Sequence, residues 1–126
     1  MTAHILTIDY PTTSLLLNSN DRGHWRKTRD RELYWKERGV IAARGLDQLP
    51  RAQIDAWFRF PTNHRRDVVN LYPTIKSWID GAVQAGILPD DSDRYLDGPF
   101  LRREWPNGPL RIKVAINELV PLEVTG

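Results

Sequence analysis

The chain has 126 residues, with 18 lysines and arginines against 16 acids and no cysteine. That length allows one buried core and leaves little room for a second. The lack of cysteine excludes disulfides and thiolate chemistry, and His4, His24 and His64 are too dispersed to suggest structural zinc.

No apolar run approaches the roughly 20 residues that cross a bilayer. The N-terminal MTAHILTIDYP has neither a basic lead nor a long apolar stretch. A cytoplasmic protein without a membrane partner is expected. The net charge of +2 says little, but its distribution is uneven. Between Asp21 and Arg44 there are eight Lys or Arg against four acids, whereas Asp80 to Asp97 holds five acids against Arg94 alone. Such runs are either solvated faces or a basic arm for phosphates beside an acidic pocket for a metal.

In chain order, His4 to Tyr10 alternates and is rich in Ile, Leu and Thr, which predicts a first strand ended by Pro11. Pro11 to Trp25 reads as a loop. Helix formers dominate from Thr28 to Arg44, with Leu33, Lys36 or Glu37, Val40 and Ile41 as the periodic set and Gly45 as the stop; Gly39 weakens the pattern. Arg51 to Phe60 places Ala52, Ile54, Ala56, Phe58 and Phe60 on one face of a second strand.

Leu71, Ile75, Ile79, Ala82 or Val83, and Gly86 form one helical stripe. Pro73 must lie in its first turn, because deeper in the helix it would remove a backbone hydrogen bond. Asp67 to Tyr72 is then a turn or a separate short helix. Tyr95 to Trp105 and Leu110 to Leu119 read as two further strands, joined by a hairpin turn at Pro106 to Pro109. The expectation is a single α+β domain over residues 1–120, a mixed sheet of about four strands covered by two helices, with a tail at 121–126.

Chemistry concentrates between Arg65 and Asp93. Arg65 and Arg66 lead into Asp67, and the following helix carries Lys76 and Asp80 towards Asp90, Asp91 and Asp93. Clustered carboxylates repel one another unless a divalent cation compensates them, and neighbouring arginines suit a phosphate-bearing substrate. The bland alternatives are a helix cap at Asp67, an i, i+4 ion pair of Lys76 with Asp80, and a polar turn after Pro89. About 15 to 20 Å of helix would separate Asp67 from Asp91, unless the loop after Leu88 folds back or a second subunit brings the parts together.

Arg22, Trp25, Arg26, Lys27, Arg29 and Arg31 suit backbone phosphates, with Trp25 or His24 stacking on an unpaired base. Trp35, Trp57, Trp78 and Trp105 read as packing residues.

The run RRDVVNL, followed by KSWIDGAVQAG and DD, resembles the RusA family of Holliday junction resolvases, especially the phage and prophage forms. The family pattern is an Asp-x-Asp-Asn-Leu run, a Lys, an Asp one helical turn later, and an Asp pair beyond the helix. Asn18, Asn20, Arg22, His24 and Trp25 also look like the family's N-terminal loop. The resemblance implies Asp67, Lys76, Asp80, Asp90 and Asp91 as catalytic residues and Asp67, Asp90 and Asp91 as Mg²⁺ ligands, with Mn²⁺ as a substitute. It also implies Asn70 among the DNA contacts, no small-molecule cofactor, and a homodimer whose paired sites nick a branched junction. In that chemistry a metal ion polarises the phosphate and activates water.

Where the family has its second aspartate, this chain has Val69, and residues are inserted around Pro73. The leading expectation is a Mg²⁺-dependent crossover junction endodeoxyribonuclease acting in recombination, repair or phage genome processing. The alternative is a non-catalytic branched-DNA binder with a degenerate site. A structural domain unrelated to nucleic acid is the third reading.

Overall fold

A computed structural model describes residues 1–21 and 25–122. The elements are β1 (Ala3–Asp9), α1 (Trp25–Ala43), β2 (Ala52–Arg59), α2 (Tyr72–Gln84), β3 (Leu96–Arg103) and β4 (Arg111–Glu118), with single 3₁₀ turns at Thr13–Leu15 and Val68–Leu71. The sheet order is β1-β4-β2-β3. β4 runs antiparallel to both β1 and β2, and β3 runs parallel to β2. A parallel neighbour needs a crossover rather than a tight turn, and α2 supplies it. The expected single α+β domain of four strands and two helices is observed. No helix among the described residues is long and apolar enough to cross a membrane.

Alternation along β2 sends Ala52, Ile54, Ala56 and Phe58 into the core, where they meet Ile112, Val114 and Ile116 of β4. Ile75, Trp78, Ile79 and Ala82 of α2 and Trp35 of α1 close the same cluster. The other face of β2 carries Gln53, Asp55, Trp57 and Arg59. Asp55 is only 4% exposed, and its carboxylate accepts from Gln53 Nε2 at 2.9 Å and from Arg102 at 3.1 Å. A buried carboxylate needs such partners to remain charged.

Two expectations require correction. The Pro106–Pro109 segment is not a hairpin turn, because β2 lies between β3 and β4. The segment instead wraps the end of β2: the Glu104 N–H donates to Phe58 O at 2.8 Å, the Gly108 N–H to Phe60 O at 3.0 Å, and Arg59 Nε to Pro109 O at 2.8 Å. Turn chemistry identified a reversal of direction but not its partner strand.

The second correction concerns α1, which begins at Trp25 and buries Trp35, Gly39 and Ala43, while Leu33 and Ile41 are exposed. The reason lies in how the helices cross. A Cβ on Gly39 would collide with the Trp78 carbonyl, and a Cβ on Gly81 would collide with the Lys36 carbonyl. Each glycine admits the backbone of the opposite helix, so the closest approach of α1 to α2 is made at a glycine rather than at the expected Leu33 and Ile41. The expected placement of α2 holds, with Pro73 in its first turn and Gly86 at φ 101° just past its end.

Replacing Gly39 or Gly81 by Ala is expected to cost at least about 3 kcal/mol, the upper end of overpacking, because backbone cannot step aside as a side chain can. Urea unfolding measures this directly. An unchanged midpoint in both variants would mean that the helices do not cross at this distance.

Candidate functional site

The site forms where the chain leaves β2 and enters α2. Asp67 stands at the N-cap position of the Val68–Leu71 turn, yet its side chain makes no capping hydrogen bond. It lies 3.6 Å from Arg65 Nε, and both side chains are largely exposed. The capping explanation for this aspartate is therefore not what the geometry gives.

The N-terminal loop is stapled at three places, to α2, to this turn and to α1. Thr74, fully buried in α2, accepts from the Leu17 N–H at 2.8 Å and donates to Leu17 O at 2.9 Å. Asn70 O accepts from the N–H and hydroxyl of Ser19 at 2.8 and 3.0 Å. Trp35 Nε1 donates to Leu15 O at 2.7 Å. The Leu17–Thr74 staple is buried and therefore costly to leave unpaired, so it is both an attraction and a constraint, whereas the Ser19–Asn70 staple is exposed.

Between loop and turn lies a cleft of about 230 Å³ lined by Asn18, Phe60, Arg65, Arg66, Asp67 and Asn70, with Leu16 and Leu71 beneath. Leu16, Asn18, Arg66 and Leu71 also line a neighbouring cleft of about 300 Å³, which reaches Arg31 and Asp21. Arg66 lies over the Phe60 ring, 4.4 Å from its centroid. Burial pushes the Tyr10 hydroxyl up to about 12, with the Arg66 charge acting in the opposite direction. Four nitrogen-bearing side chains, Asn18, Arg65, Arg66 and Asn70, and one carboxylate thus open onto a space that fits a phosphodiester group.

The second half of the site is built around Lys76. The segment after Leu88 folds back along α2, so Lys76 Nζ donates both to Asp80 Oδ1, at 2.6 Å, and to Asp91 Oδ2. This answers the question of helix length: one subunit alone brings Asp91 to the second turn of α2. The bland i, i+4 pair exists, but it is half of a bridged triad. Asp91 is held below the usual carboxylate range, first by its hydrogen bond from Lys76, with the Lys76 charge and hydrogen bonds involving Asp90 and Asp80 acting in the same direction. Partial burial works against the Lys76 charge, but its bonds to Asp80 and Asp91 outweigh that and raise its pKa.

Other expected residues are more dispersed. Arg22 and His24 lie outside the described residues. Trp25, Arg26 and Lys27 sit exposed at the start of α1, with the Arg26 guanidinium 5.4 Å from the Trp25 ring centroid. Val69, at the position of the family's second aspartate, is 69% exposed. Among the described residues, no three carboxylate or imidazole side chains converge into a group able to hold a metal ion. Asp67 opens onto the arginine cleft while Asp91 is paired with Lys76, so Asp67, Asp90 and Asp91, the expected Mg²⁺ set, are not brought together in this arrangement.

Sequence reading missed Thr74, Ser19 and the exposed Trp105. Thr74 carries no signal, since a threonine in an amphipathic helix is ordinary. Trp105 had one, standing beside Pro106 at a strand end. Searches of the chain against protein-family models and against curated proteins give no match.

Lys76→Met should raise the Asp91 titration midpoint towards or above the ordinary carboxyl value of about 4. Because Asp91 is depressed in the folded protein, its contribution to stability is present above that ordinary value and fades as pH falls through the lowered one. The wild type should accordingly lose more stability on acidification than Lys76→Met does. Carboxyl NMR titration with acid unfolding tests both points, and identical Asp91 midpoints in the two proteins would refute the triad.

Proposed function

We propose that the protein is a RusA-like endonuclease that binds branched DNA, Holliday junctions included, and nicks it near the crossover. One observation carries this reading. Arg65, Arg66, Asp67 and Asn70 open onto one cleft at the entry to α2, and the returning loop sets Asp91 on Lys76 of the same helix. Guanidinium groups are suited to phosphate oxygens, and contacts of this type read backbone shape and charge rather than sequence. Lys76 is the cation closest to the carboxylates and would face charge developing on the reacting phosphate.

Mg²⁺, with Mn²⁺ as a substitute, belongs to the proposal on Asp67, Asp90 and Asp91, although these do not converge in the arrangement described. Two matched nicks in a four-way junction require two sites, hence a homodimer. The setting would be recombination, repair or phage genome processing inside a bacterial cell.

Val69 supports a second reading, a branched-DNA-binding protein without cleavage. An exposed apolar side chain replaces a ligand, and Lys76 already compensates Asp91. The two readings separate on a labelled four-way junction beside a linear duplex of the same sequence, with Mg²⁺ and with chelator. Paired, metal-dependent nicks confined to the junction, lost in Asp91→Asn, are the expected result. Tight junction binding without cuts favours the binder, and then Val69→Asp, which should cost little stability at so exposed a position, is expected to introduce cleavage. No salt-dependent DNA binding at all would sink both readings.

A further inference from the structure

Trp105, just past the end of β3, is 58% exposed, although its sequence context suggested packing. Exposure of one large ring is ordinary; what sets this one apart is how firmly it is held. The Arg103 guanidinium lies 4.0 Å from the Trp105 ring centroid and 5.3 Å from that of Phe60. Arg103 is itself fixed by bonds to His64 O and Thr62 O, both at 2.7 Å, and by a weaker contact to Asn107 Oδ1 at 3.4 Å. Phe60 in turn carries Arg66, which lines the cleft with Asp67. Trp105, Arg103, Phe60 and Arg66 therefore form an alternating run of aromatic and guanidinium groups from an exposed indole to the arginine cleft.

We infer that Trp105 is a stacking platform for an unpaired nucleobase of the strand whose backbone enters that cleft. The inference rests on the DNA-binding reading above and adds a base-binding subsite to it. An indole already fixed by a pinned arginine loses little freedom when a base stacks on it, which favours binding. Stacking of this kind accepts any base, because every base presents a π face. It also suits a branched substrate, whose crossover offers bases that leave the helical stack at lower cost than those of a continuous duplex. The Trp25 ring, also exposed, lies beside the guanidinium of its neighbour Arg26.

The test uses four-way junctions carrying 2-aminopurine at each crossover position in turn, with wild type, Trp105→Ala and Trp105→Phe. At one position the wild-type complex should be quenched, the Trp105→Ala complex brighter, and the Trp105→Phe complex quenched again. Junction affinity should fall roughly tenfold in Trp105→Ala and recover in Trp105→Phe, while the salt slope, which counts phosphate contacts, stays the same. Thermal melts of the variants confirm that the fold is intact. Unchanged affinity and unchanged fluorescence in Trp105→Ala would overturn the platform while leaving the DNA-binding reading in place. Failure of the wild type to bind any DNA in a salt-dependent way would overturn both.

Discussion

The close passage of α1 against α2 is the constraint on which the rest of the structure depends. Gly39 and Gly81 each leave room for a carbonyl of the facing helix, so the two backbones meet without intervening side chains. Contact of this kind fixes both the separation of the helices and their rotation about their own axes. Rotation matters most here, because Ile75, Trp78 and Ile79 must point into the core for Lys76 and Asp80 to lie along the partly exposed flank. Turning α2 by one residue would bury an ammonium group and expose an isoleucine. The packing of two glycines, which carry no charge themselves, thus decides where the charged groups stand.

A second layer of constraint joins the N-terminal loop to α2, to the turn before it and to α1. Thr74 clamps Leu17 through both the N–H and the carbonyl, Asn70 O holds Ser19, and Trp35 holds Leu15. Asn18, which opens onto the cleft, lies between two of these anchors. The cleft is therefore formed by segments far apart in sequence whose relative position is set by these hydrogen bonds, each worth about 1 kcal/mol net, the buried Leu17–Thr74 pair being the costliest to break. Their value is geometric: they keep Arg66 and Asp67 opposite the loop rather than free to move on a long connection.

Periodicity made much of this legible. β2 and α2 follow their apolar patterns closely, since both bury one face and expose the other, and Pro73 marked the helix start correctly. Two features escaped for physical reasons. A glycine face contributes by the absence of side chains, so Gly39 looked like a weakness in α1 when it is the point of contact. The Pro106–Pro109 turn was visible, but strand order depends on which edge of β2 is already occupied, and no local pattern encodes that. The site divides in the same way. Lys76 with Asp80 was readable as a helical spacing, whereas the return of Asp91 to Lys76 depends on the path of the loop after Leu88. The pinned indole of Trp105 depends on carbonyls of Thr62 and His64, more than forty residues earlier.

The charge layout around α2 gives the site a direction. On one side, Arg65 and Arg66 outnumber Asp67, which favours an anionic backbone. On the other, Asp80 and Asp91 share the ammonium group of Lys76, which leaves a formal excess of one negative charge within the triad. A phosphodiester chain approaching freely would settle on the arginine side and be repelled from the acidic side, with the interaction weakened beyond about 10 Å by ordinary salt. For a phosphate to reach Lys76, that excess must be offset by a further positive charge or by a rearrangement of the triad. Under the proposed function, phosphate binding and site assembly would be coupled through one electrostatic balance. Lys76 lies at its centre, because the same ammonium group that holds Asp91 in place is the one a phosphate would compete for.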